Sequence, residues 1–124
     1  MGGHRIERLE EDMKRVLPGI FREMKDPRVQ KAMLSVVRVD LTNDLSYATI
    51  YVSSLDGMDS AKEAVAGLQH GSSFVRTSLA QTLKMRKSPE LRFVADDSIA
   101  YGAEIDKKLR DLEAQGMMGT KEEE

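Results

Sequence analysis

The sequence predicts an α+β domain, with helices gathered on one face of a three-stranded sheet, and three features carry that prediction. Apolar residues recur at steps of three and four in three segments, the helical period. Three short β-branched runs lie among them. A short polar turn joins the first two runs and forces an antiparallel hairpin. The order is helix, strand, strand, helix, break, helix, strand, with one further C-terminal helix, a two-layer arrangement.

The first helix spans Arg5 to Lys25, where Ile6, Leu9, Met13, Val16, Leu17, Ile20, Phe21 and Met24 form one stripe. Pro18-Gly19 lies inside it and predicts a kink or a break. Asp26-Pro27 ends it, because a residue before proline is pushed out of the helical region. Met33 to Leu41 reads as a strand, Thr42-Asn43-Asp44 as a turn, and Ala48 to Ser53 as a second strand. Ser60 and Glu63 have capping-box spacing, so a helix is expected through Ala61, Ala64, Val65 and Leu68. Gly71-Ser72-Ser73 breaks it. A helix from Phe74 to about Leu83 follows, with Phe74, Val75, Leu79 and Leu83 inward, then a third strand at Leu91–Val94. Ser98 to Leu112 predicts the last helix. Residues 5–113 make one domain, and 114–124, ending in Glu122-Glu123-Glu124, read as a disordered acidic tail.

A chain of 124 residues has room for one core. It has no cysteine, which rules out disulfides and thiolate metal sites. The N-terminus lacks the apolar stretch of a secretory signal, and no apolar run approaches the roughly 20 residues of a membrane helix. A cytoplasmic monomer without membrane contact is expected. His4 and His70 stand without a third ligand pattern, Asp96-Asp97 reads as a turn and helix start, and no phosphate-loop, dinucleotide or nucleophile-elbow motif is present. The expectation is a non-enzyme with no cofactor and no metal.

Net charge is −2, yet its distribution is uneven. Residues 1–92 hold 15 Lys and Arg against 12 Asp and Glu, while 93–124 hold 4 against 9, so the body leans basic. Between Gly71 and Arg92 lie Arg76, Lys84, Arg86, Lys87 and Arg92 against one acid, Glu90. On a helix from Phe74, Arg76 and Lys84 are eight apart and share a face. A polar basic face beside an apolar one suits phosphate contacts. The break at Gly71, Ser72 and Ser73 adds backbone N–H groups at a helix N-terminus, a natural place for an anion. The RNA-binding candidates are therefore Arg76, Lys84, Arg86, Lys87, Gly71, Ser72 and Ser73, with Arg28 as a further one. A solvated helix face with a flexible turn explains the same charges equally well. Arg5, Arg8 and Arg15 on the first helix form the next surface to consider.

From residue 5 to 113 the chain resembles the ribosome-binding factor A family. The matching stretches are Lys25-Asp26-Pro27-Arg28, Val36 to Asp44, Ala48 to Ser53, Phe74-Val75-Arg76, Leu83 to Arg86, Ser88 to Phe93, and Asp97-Ser98-Ile99 with Gly102. The resemblance implies a KH-like fold of type II, in which a helix-break-helix motif replaces the Gly-x-x-Gly loop. It implies binding to the free or immature 30S subunit and its 16S rRNA, and promotion of 5′-end maturation, notably in the cold. The break departs from the family's Ala-x-Gly, having Gly71-Ser72-Ser73 instead. Two other functions fit the same residues: a KH-like domain acting on another RNA, and a protein-interaction module whose basic face meets an acidic partner.

Overall fold

A computed structural model describes residues 2–96, with side chains from Arg5 onward. The helix expected over 98–112 and the tail expected over 114–124 lie outside the described residues. Within them the chain forms α1 (Gly2–Glu23), α2 (Pro27–Gln30), β1 (Leu34–Leu41), β2 (Tyr47–Ser54), α3 (Met58–His70), α4 (Ser72–Thr82) and β3 (Glu90–Ala95). This is the predicted α+β order, and it is that of a KH-like domain. The sheet runs β1-β2-β3, antiparallel between β1 and β2 and parallel between β2 and β3. The parallel pair follows from the α3–α4 crossover, since a parallel neighbour cannot be reached by a tight turn.

α1 does not break at Pro18-Gly19; it runs through both. An internal proline costs about 3 kcal/mol. Against that, Met13, Leu17, Ile20 and Phe21 straddle Pro18 on one stripe and are 0–6% exposed. Burying each contributes roughly 1.5–3 kcal/mol, so packing outweighs the lost bond. Asp26-Pro27 ends α1 as expected and also starts α2, a short helix that periodicity cannot reveal. The Asp26 carboxylate caps it by accepting the Arg28 N–H at 2.9 Å, and Pro27 supplies the preset first position.

Alternation on the strands decides which face the helices cover. Ala48, Ile50 and Val52 of β2 are fully buried, while Tyr47, Thr49 and Tyr51, which alternate with them, point to the other face. Leu91 and Phe93 of β3 sit beside Ala48 and Ile50. On β1 a register shift between Val36 and Arg38 leaves both Val36 and Val39 buried. The core closes with Leu68, Val75 and Leu79 from α3 and α4, and Phe21 meets Phe93 edge-on at 6.2 Å.

Two side chains finish the sheet's edges. The Glu10 carboxylate accepts the Leu41 N–H at 2.8 Å. The Gln69 amide donates to the Leu91 carbonyl at 3.2 Å and accepts the Phe93 N–H at 3.3 Å, in place of a fourth strand beside β3.

Three expectations are corrected. The Ser60–Glu63 capping box does not form: α3 begins at Met58, behind Gly57 at φ 107°, and the Ser60 hydroxyl meets that of Ser54 at 3.1 Å. The break is Gly71 alone, because Ser72 and Ser73 are already helical. Phe74 is not inward but 43% exposed, and Leu83 is only partly buried. Val75 and Leu79, four apart, take the core stripe of α4, and Phe74 lies about 100° round the helix from Val75.

Candidate nucleic-acid interface

A groove of about 840 Å³ opens between the N-terminal turns of α1, the β1–β2 turn and the α4–β3 loop. Arg5 and Arg8 reach it from α1, Arg76 from α4, and Lys84, Arg86 and Lys87 from the loop. The spacing of Arg5 and Arg8, three apart on a helix, places both on the side that meets the groove. Asp12, Asp44 and Glu90 also line it. Two of these acids are engaged elsewhere. Asp12 pairs with Arg15 at 3.3 Å. Asp44 accepts the Ser46 N–H at 3.0 Å and the Thr42 hydroxyl at 2.8 Å, which in that order hold its carboxyl below the ordinary carboxylate range. Asp44 thereby keeps its charge, and the excess of positive charge comes from six cations set against three acids.

The candidates on α4 and its loop come together, though not on one helix face. α4 ends at Thr82, so Lys84 cannot share a helical stripe with Arg76. Lys84 instead sits in the left-handed region at φ 54°, directly after the C-cap Leu83. The Met85 N–H reaches back to the Ala80 carbonyl at 2.8 Å, the bond of a Schellman motif, in which that left-handed position is usually glycine. The turn throws Lys84, Arg86 and Lys87 outward, and all three are exposed. Arg76 is half-buried: Nη2 donates to the Ser88 carbonyl at 3.5 Å, and Nε is buried without a hydrogen-bond partner. A guanidinium with five donors and one long bond still has capacity for an anion.

The remaining candidates lie elsewhere. Gly71, Ser72 and Ser73 do not line this groove; Gly71 lines a smaller, more apolar hollow with Met24 and Phe74. Gly71 has an ordinary negative φ, and a Cβ there would crowd only the flexible end of Met24, whose Cε lies 2.6 Å away, so neither backbone nor packing demands glycine. Arg28 is also outside the groove. Its guanidinium clasps Asp26 through Nη2 at 2.8 Å and Nε at 3.1 Å, which pulls the Asp26 carboxyl down to about 2. Arg28 therefore locks α2 to its own cap. Sequence spacing linked the α4 and loop cations but gave no reason to join them to Arg5 and Arg8, which only the tertiary fold brings across.

Among the described residues no group of three or more His, Asp or Glu could hold a metal ion, and no helix is long and apolar enough to cross a membrane. The family model for ribosome-binding factor A matches residues 5–109. Ribosome-binding factor A of Syntrophomonas wolfei is 40% identical over 119 residues, covering 94% of this chain and 98% of that one. The Lactobacillus johnsonii protein of the same name is 42% identical, covering 90% and 91%. The crystal structure of ribosome-binding factor A from Thermus thermophilus superposes with a TM-score of 0.63 at 28% identity, covering 73% of this chain and 93% of that one. A homology model of the Thermus factor, fitted into a cryo-EM map of a 30S–ribosome-binding factor A complex, gives a TM-score of 0.59 at 28% identity, covering 70% and 90%. The chain belongs to the ribosome-binding factor A family.

Proposed function

We propose that this chain binds the small ribosomal subunit by laying 16S rRNA phosphates in the basic groove. One observation carries the proposal: six cations from three separate stretches of chain converge on one groove, where they outnumber its three acids. Phosphates are fixed mainly by such side chains, and they set register without reading sequence. The 30S complex described for the Thermus factor supplies the partner. On this reading the chain is a cytoplasmic monomer and an assembly factor rather than an enzyme. It acts on the free or immature subunit, in late maturation, 5′-end processing of 16S rRNA and growth in the cold.

Two measurements test it. Affinity capture of the full chain from lysate is expected to bring down small subunits carrying unprocessed 16S rRNA. In cells depleted of the protein and grown cold, 5′-extended 16S rRNA should accumulate. Wild type should clear it, and a Lys84→Ala/Arg86→Ala/Lys87→Ala variant should not. Capture of another RNA or an acidic protein in place of subunits would overturn the proposal.

A further inference from the structure

Among the described residues four large apolar or aromatic side chains are exposed: Met33, Tyr47, Leu55 and Phe74. Of these only Tyr47 lines the basic groove. It is the first residue of β2, and its neighbour Ala48 is buried in the core, so the ring stands on the face of the sheet opposite that core residue, 49% exposed. Its backbone is firmly held. The Thr42 N–H donates to the Tyr47 carbonyl at 3.0 Å, and the Tyr47 N–H donates to Thr42 Oγ1 at 3.1 Å. The ring thus sits on the closed end of a hairpin and not on a loose loop.

The next tyrosine on the same face is different. Tyr51 is capped by Arg38, whose guanidinium lies 4.3 Å from the ring centroid and also pairs with Asp40 at 3.1 Å. Among the described residues no cation covers the Tyr47 ring in this way. Its cross-strand partner is Glu90, and two pairs further along, opposite Thr49, stands Arg92, exposed and pointing to the same face. An exposed aromatic ring in a groove lined by cations matches the two halves of a nucleotide. The cations meet the backbone, and the ring meets a base face. Duplex bases are stacked on each other and present no free face, whereas single strands can splay a base onto an aromatic side chain.

We propose that the groove takes single-stranded RNA, and that Tyr47 stacks one unpaired base where the groove meets the sheet. This rests on the phosphate-binding reading of the groove, and the test separates the two. The full chain is titrated against a fluorescein-labelled oligouridine of about ten nucleotides, within the span usual for such grooves, and against an RNA duplex of equal length. Tyr47→Val keeps a strand-forming residue without a ring, and Tyr47→Phe keeps the ring. Wild type and Tyr47→Phe should prefer the single strand. Tyr47→Val should lose roughly 5- to 150-fold in single-strand affinity, the usual effect of removing one stacking partner, with duplex affinity unchanged. As a readout that needs no truncated side chain, oligouridine should quench tyrosine emission in wild type more than in Tyr47→Phe. If Tyr47→Val binds the single strand as wild type does, or the quenching is equal, stacking at Tyr47 is overturned. If in that case Lys84→Ala/Arg86→Ala/Lys87→Ala still loses affinity, the groove reading stands alone. If the triple variant also binds as wild type, both fall.

Discussion

Replacing Lys84 by glycine should make the protein more stable and bind RNA less tightly at once. Lys84 occupies the left-handed position behind α4 at φ 54°, held there by the Met85-to-Ala80 bond. For an L-residue that conformation costs roughly 1–2 kcal/mol. Glycine escapes the clash but brings about 0.5–1 kcal/mol of extra backbone entropy to the unfolded chain. The net expectation for Lys84→Gly is a gain of about 0.5–1 kcal/mol, or roughly 2–6 °C in Tm for a domain of this size. Lys84→Ala keeps the strain and should gain nothing. Both variants remove the same exposed cation from the groove, so both should lower the log-log salt slope of RNA binding by about 0.7–0.9. The assay is thermal melting by circular dichroism, paired with a salt titration. A Lys84→Gly protein no more stable than Lys84→Ala would refute the left-handed assignment. Unchanged slopes in both would remove Lys84 from the interface.

Other perturbations test the frame that holds the groove. Leu79 is fully buried, and Leu79→Ala should cost about 2–5 kcal/mol in chemical denaturation; a loss under about 0.5 kcal/mol would place it on the surface. Asp26 titrates at about 2 when folded, below its ordinary 3.8, chiefly because Arg28 donates to it. Its folded-state contribution is therefore complete above about pH 3.8 and is lost as pH falls toward 2. Stability measured across that window should fall less steeply in Asp26→Asn than in wild type, and equal slopes would argue against the clasp. Gln69→Ala leaves the Leu91 carbonyl and Phe93 N–H at the β3 edge without their partner, which should cost roughly 1–3 kcal/mol. Concentration-dependent light scattering should rise as that edge opens, and an unchanged melting curve would contradict the edge-closing role.

The elements were legible wherever a local period determines them. The α1 stripe, the hairpin and the alternation in β2 are properties of neighbouring residues, and they appear as expected. Misreadings cluster where a distant contact overrules a local rule. Pro18 stays helical because Met13 and Phe21 are buried on either side of it. Ser60 gives up its capping role for the hydroxyl of Ser54, which arrives from another element. The sequence sets Phe74 inward together with Val75, Leu79 and Leu83, but the packing of α4 gives the inner stripe to Val75 and Leu79. The site shows the same division. Lys84, Arg86 and Lys87 are close in sequence, so the sequence alone groups them. Arg5 and Arg8 join them only because α1 packs along the sheet beside the α4–β3 loop, more than seventy residues away in the chain.

The groove itself is tested most directly by a salt titration of the full chain against purified 30S subunits, from about 50 to 200 mM, a range over which phosphate contacts weaken steeply. Wild type is compared with Lys84→Ala/Arg86→Ala/Lys87→Ala. All three residues are exposed and outside any ion pair among the described residues, so folding should be unaffected. The expected result is weaker subunit binding by the variant and a log-log slope shallower by about two units. Equal affinity and equal slope would contradict the account, and the subunit-binding surface would then lie outside this groove.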